Sequence, residues 1–132
     1  MFNHIMVGTN DIARARKFYD AVMAMLGFEG EPFQHTADSG HKRLFYVHKG
    51  GTFCVSEPIN DEPASFANGA TIGFKCDSPE QVMAFHDAAV AKGGLSIEEP
   101  PGKREGGLLG PMYLAYVRDP DGHKLCALHR VR

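Results

Sequence analysis

The chain has 132 residues, 43% of them apolar, and its 14 basic and 16 acidic side chains leave a net charge of -2. That length suits one compact domain able to bury its own core, and scattered basic residues without a basic field argue against nucleic acid as a partner. No run of about 18 apolar residues marks a membrane span and no basic, then apolar leader marks a secretion signal, so a cytoplasmic protein is expected.

Taken in order, Phe2 to Gly8 reads as a strand, and Asn10 or Asp11 can cap a helix that carries Ile12, Ala15, Phe18 or Tyr19, Val22 and Leu26 on one face. Gly27 ends that helix as a left-handed cap. Phe28 to His35 is a short strand, Lys42 to His48 the next, and Gly50 and Gly51 turn the chain into Thr52 to Glu57. Residues 58–68 hold two prolines and no periodicity and read as a surface linker. The order then starts again. Ala70 to Cys76 is a strand, and Ser78 Pro79 Glu80 Gln81 has capping-box spacing with proline at the first helical position. The helix runs to Lys92, ended by Gly93 and Gly94. Leu95 to Glu98 is a short strand, and Glu99 to Pro111 a loop whose basic, glycine-rich part, Gly102 to Gly107, reads as a lid or a solvated loop. The last hairpin turns at Asp119 Pro120 Asp121 Gly122.

Sliding the chain along itself by 67 residues tests the repeat directly. Ile5 meets Ile72, Phe18 meets Phe85, Asp20 meets Asp87, Ala21 meets Ala88, Ala24 meets Ala91 and Gly27 meets Gly94. The expected fold is therefore α+β: two tandem βαβββ modules, residues 1–57 and 69–132, within one domain, their mixed sheets curling round a shared cleft and their helices outside.

The closing segment Arg118 Asp119 Pro120 Asp121 Gly122 His123 resembles the end of proteins of the vicinal oxygen chelate superfamily, which includes glyoxalase I, bleomycin resistance proteins, fosfomycin-modifying enzymes and extradiol dioxygenases. The start is similar too, in Asn3 His4 Ile5 Met6 Val7, Asp11, Phe18 Tyr19 Asp20 and Leu26 Gly27 Phe28. The resemblance implies the same paired-module architecture, with metal ligands on the first and last strand of each module, facing the cleft. Those positions are His4, Cys54, Thr71 and Cys126. Only His4 keeps the family's ligand type, and Cys126 stands where metal-dependent members carry Glu.

A hard divalent ion favours oxygen donors, and this set offers no carboxylate, whereas His4, Cys54 and Cys126 suit one divalent transition metal, zinc first. The alternative is that both cysteines are small core residues. Three cysteines without Cys-x-x-Cys spacing argue against disulfides and fit a reducing compartment. Arg43, Tyr46, Tyr113 and Tyr116 are expected in the cleft walls, where an arginine favours an anionic or carboxylate-bearing ligand. His35, His41 and His48 form a rival cluster without metal-motif spacing, and His123 reads as a surface residue.

Two functions lead on this reading, with a thiol-dependent activity centred on Cys126 as a broader third. One is a glyoxalase- or dioxygenase-like enzyme, lyase or isomerase in type, in which a metal polarises a small substrate. The other is a metal-free protein that sequesters a small molecule, as bleomycin resistance proteins do. A homodimer is expected in either case, because small paired sheets leave exposed edges.

Overall fold

The computed structural model describes residues 1–131. Its elements, in chain order, are β1 (His4–Gly8), α1 (Ile12–Met25), β2 (Phe33–Thr36), β3 (Lys42–His48), β4 (Gly51–Ser56), β5 (Ile72–Lys75), α2 (Pro79–Ala91), β6 (Leu95–Arg104), β7 (Met112–Arg118) and β8 (Lys124–Arg130). They form two four-stranded mixed sheets, ordered β1-β4-β3-β2 and β5-β8-β7-β6, and among the described residues no ladder joins one sheet to the other. In each sheet the first strand lies parallel to the last, and the other neighbours are antiparallel. This is the α+β arrangement of two βαβββ modules.

Local chemistry explains the helix bounds. Asp11 caps α1 by accepting from the Arg14 backbone N–H, and Ser78 caps α2 by accepting from that of Gln81, with Pro79 at the first helical position. The left-handed residues after the helices are Gly27 (φ 98°) and Gly93 (φ 96°), so the cap of α2 falls one residue before the Gly94 that the ungapped repeat pairs with Gly27. The two helices pack on each other. Phe18, Tyr19 and Val22 of α1 and Val82, Phe85 and Ala89 of α2 share one core with Val7, Leu44, Tyr46, Phe53 and Val55 of the first sheet and Ala115, Val117, Leu125 and Ala127 of the second.

Polar contacts also tie the modules together. The Tyr19 hydroxyl donates to Asp119, Thr9 Oγ1 donates to Asp121 Oδ2 at 2.6 Å, and Asn10 N–H donates to Asp121 Oδ1 at 2.9 Å. His123 corrects the surface reading: it is buried, and its Nε2 bonds the Gly8 carbonyl at 2.7 Å, so it is a clasp between modules. The linker is held down as well, by paired bonds between Asn10 and Ala64 and by Phe66, which lies under Arg118 at 5.1 Å and against Gly122.

One strand differs markedly from expectation. The short strand at residues 95–98 extends to Arg104, through a bulge between Ile97 and Gly102 where Glu98 takes φ 61°. Pro100 and Pro101 are tolerated there because β6 is an edge strand. The basic stretch expected as a lid or loop is therefore partly ladder, with Gly102, Lys103 and Arg104 paired to Leu114, Tyr113 and Met112.

Candidate functional site

Side chains alternate across a strand, so one face of the first sheet packs on the helices and the other is left free. On the free face, ladder register sets three rows. Arg43 lies beside Ser56, Phe45 beside Cys54 and Met6, and Val47 beside Thr52 and His4. On β2, His35 lies opposite Arg43 and Phe33 opposite Phe45. Together Asn3, His4, Phe33, His35, Arg43, Phe45, Val47, Thr52 and Cys54 line an open cup of about 470 Å³.

The cup carries one guanidinium, two imidazoles and no carboxylate. Arg43 makes no ion pair among the described residues, and its Nε is buried without a hydrogen-bond partner. Buried donors are nearly always satisfied, so this Nε, closed off from solvent, is an unmet cost, while the guanidinium as a whole lines the cup without a counter-charge. Phe33 and Val47 are each 64% exposed, a large apolar share for a sheet face. His4 is exposed and its Nδ1 bonds Asn3 Oδ1 at 2.8 Å. Cys54 at the floor is fully buried, and burial pushes its thiol up, which keeps it protonated and a poor nucleophile near neutral pH.

The four family-derived positions are not brought together. His4 and Cys54 share the cup, whose lining takes nothing from the second module. Cys126 lies in a separate apolar cluster with Met112 and Leu114, bordered by Tyr116 and Leu128. Burial raises the Cys126 thiol, against the opposing pull of Tyr116 and Lys124. Lys124 sits 4.8 Å over the Tyr116 ring and pairs with Glu98. Thr71 is exposed just before β5 and outside it.

Two tyrosines expected in the cleft are on the other face. Tyr113 packs against the main core, and Tyr46 is buried there with its hydroxyl donating to Asp20 Oδ1 at 2.7 Å. The spacing carried this information: Arg43 and Tyr46 are three apart, as are Tyr113 and Tyr116, and odd spacings put residues on opposite faces of a strand. Phe45 and Val47 were missed by the sequence reading, although even spacing from Arg43 selects both. Phe33 and His35 follow only from the β2–β3 register.

A metal fits this chain poorly. Among the described residues, no three His, Cys, Asp or Glu side chains converge as ligands, so the His4, Cys54 and Cys126 set does not assemble within one chain. Burial favours the protonated thiols, and the cup lacks the carboxylates that hard ions prefer. Of the rival histidines, His35 lines the cup and His48 bonds the Leu26 carbonyl. His41 is held between Ser39 and Asp61, at 2.7 and 2.8 Å, pinning the linker to the β2–β3 turn.

Fold and cup together define a paired βαβββ protein with a small-molecule-sized recess on its first sheet. The family description "Glyoxalase/Bleomycin resistance protein/Dioxygenase superfamily" matches residues 1–127, and the chain belongs to that superfamily. It is similar, at 51% identity over 98% of this chain and 99% of the other (TM-score 0.88), to the crystal structure of a glyoxalase/bleomycin resistance protein from Albidiferax ferrireducens T118. A glyoxalase-related enzyme from Fulvimarina pelagi shares the fold at 20% identity, with 98% and 88% of the chains covered and a TM-score of 0.73. A glyoxalase I mutant from Zea mays does so at 19% identity and TM-score 0.73, with 96% of this chain and 45% of that chain covered. No curated protein matches. No helix among the described residues is long and apolar enough to cross a membrane.

Proposed function

We propose that this protein binds a small organic anion in the cup of the first sheet, without a metal, as a sequestering or carrier member of its superfamily. The observation that carries the reading is Arg43, without an ion pair among the described residues, at the wall of a recess that holds no carboxylate. A ligand carboxylate would pair with the guanidinium, and a charge-assisted bond of that kind is worth about 1.5–3 kcal/mol. The volume falls in the range of about 300–1,000 Å³ usual for small-molecule sites. The metal-assisted lyase or dioxygenase reading needs a donor set that neither the cup nor the Cys126 cluster offers.

The test is a thermal-shift panel of small organic anions, run with and without EDTA on the wild type and on Arg43→Gln. Stabilisation that survives the chelator and disappears in the variant is expected. A response that requires a divalent ion, or that Arg43→Gln leaves intact, would overturn the proposal. We further expect a homodimer, since β2 and β6 leave free sheet edges and the cup rim leaves Phe33 and Val47 uncovered. Sedimentation at micromolar concentration checks this, and a purely monomeric species would count against it.

A further inference from the structure

The cup is ordered along its strands. Arg43 stands at one end, Phe45 and Cys54 in the middle row, and Val47, Thr52 and His4 at the other end. The middle is flanked by a group of flat side chains. Phe33 and Phe45 face each other across the β2–β3 ladder with centroids 6.0 Å apart, and Phe33 lies nearly parallel to His35, at 6.4 Å and 23°. His35 in turn meets Phe45 edge-on, at 6.5 Å and 68°. Three rings in mutual contact, one of them 64% exposed, make a wall suited to a flat apolar partner.

The distance between the charge and this wall restricts the ligand. Arg43 and Phe45 are two residues apart on β3, so their side chains leave the sheet about 7 Å apart. An acid group that engages Arg43 while its ring rests against Phe45 and Phe33 must therefore be attached to that ring directly or through a short link. A long flexible acid would run past the aromatic wall. Nothing in the lining repels a carboxylate, since its charged or chargeable side chains are Arg43, His4, His35 and the burial-neutralised thiol of Cys54.

We infer that the cup selects a planar aromatic carboxylate, its acid on Arg43 and its ring against Phe45, Phe33 and His35. This inference rests on the organic-anion reading above and adds the shape of the ligand to its charge. The planar face gives the selectivity, because a puckered saturated ring of the same charge meets the same wall at fewer atoms.

The experiment is calorimetric titration of the intact protein with three probes: benzoate, cyclohexanecarboxylate and benzamide. They share size and differ in planarity or charge. Benzoate is expected to bind about ten-fold more tightly than either of the others. Arg43→Gln should bring benzoate down to the level of benzamide. Phe45→Leu, which keeps an apolar side chain but removes the flat face, should bring benzoate down to the level of cyclohexanecarboxylate. Circular dichroism of each variant establishes that it folds. Cyclohexanecarboxylate binding as tightly as benzoate would overturn the aromatic selectivity and leave the organic-anion reading in place. Equal binding of all three probes, unaffected by Arg43→Gln, would overturn both. No benzoate binding at millimolar concentration would overturn the selectivity, with the anion panel then deciding the parent reading independently.

Discussion

Arg43→Met should make the ligand-free protein more stable while abolishing its response to ligand. Methionine keeps the unbranched stem that packs on the sheet and removes the guanidinium. A buried donor left without an acceptor costs about 1–3 kcal/mol. Only Nε is fully buried and Arg43 as a whole is half-buried, so the lower end, about 1 kcal/mol, is the appropriate figure. With an unfolding entropy of about 2.1 cal/mol/K per residue, a chain of 132 residues has roughly 0.28 kcal/mol/K, so Tm should rise by about 4 °C. The wild type with benzoate at ten times its Kd should gain about 1.4 kcal/mol, or roughly 5 °C, and the variant should gain none. Thermal melts followed by circular dichroism, with and without benzoate, measure both effects. A variant that melts below the wild type without ligand would show that Arg43 is satisfied in solution. A variant still stabilised by benzoate would remove Arg43 from the site.

The remaining expectations concern the frame that holds the cup. Tyr19→Phe deletes the hydroxyl bonded to buried Asp119 and should cost about 2 kcal/mol in urea unfolding at neutral pH. Burial already raises Asp119 and the Tyr19 bond opposes that rise, so in the variant Asp119 should move further up and the loss should shrink as acid protonates it; a cost below 0.5 kcal/mol, as a rough threshold, would refute the role. Gly94→Ala should lower the urea midpoint by the equivalent of about 1–3 kcal/mol. The added Cβ would sit 2.7 Å from the Ala89 carbonyl, 2.8 Å from Phe18 Cε1 and 3.0 Å from the Arg118 carbonyl, so an unchanged midpoint would contradict the module packing described above. Cys76 is buried and its thiol is pushed up to about 11 from 9.0, so the unfolded chain ionises first as pH rises. Its contribution is fully present below about pH 9 and declines towards pH 11, by up to about 2 kcal/mol. Cys76→Val should flatten that alkaline decline, and an identical slope in the variant would refute the assignment.

Much of the fold could be read from the sequence because two periodicities repeat in the same order. Lys42–His48 was readable to the residue, since turn residues Ser39–Gly40 and Gly50–Gly51 bound it on both sides. The cap at Ser78 follows from side-chain chemistry alone, and the same chemistry narrowed the first cap to Asn10 or Asp11, of which Asp11 caps the helix. The far half of β6 was not readable, because Glu98 to Pro101 interrupts the alternation and nothing local says that the ladder resumes beyond the bulge. His123 was misread for a different reason: a residue after a turn glycine has no neighbour in sequence to reveal that Gly8, over a hundred positions earlier, waits for its imidazole. The site was half legible. Family pattern led to His4 and Cys54, and charge led to Arg43, whereas the aromatic wall depends on how β2 pairs with β3.

The repeat itself explains why equivalent positions need not share a cavity. Cys54 faces Phe45 and Met6 on its neighbours, and Cys126 faces Tyr116 and Gly73, so the two cysteines occupy the same place in their own sheets. Two residues before Phe45 stands Arg43, opposite Ser56; two residues before Tyr116 stands Leu114, opposite Leu128. The first sheet thus places a cation and a hydroxyl where the second places two leucines. Leu114, Met112 and Cys126 close into a buried apolar cluster, with the turn at Gly106 packed so tightly on Met112 that a Cβ would come within 2.7 Å of its methyl. A filled recess of this kind leaves no room for a ligand, whereas the first-sheet recess keeps an open volume beside an unpaired guanidinium, as the proposed anion site requires. Converting one into the other is the corresponding test of divergence: Leu114→Arg should destabilise the protein by leaving a charge unpaired in the closed cluster, by about 3 kcal/mol or more, without creating benzoate binding. If that variant folded as stably as the wild type and bound benzoate, the two recesses would be interchangeable, and the assignment of the ligand site to the first sheet would fail.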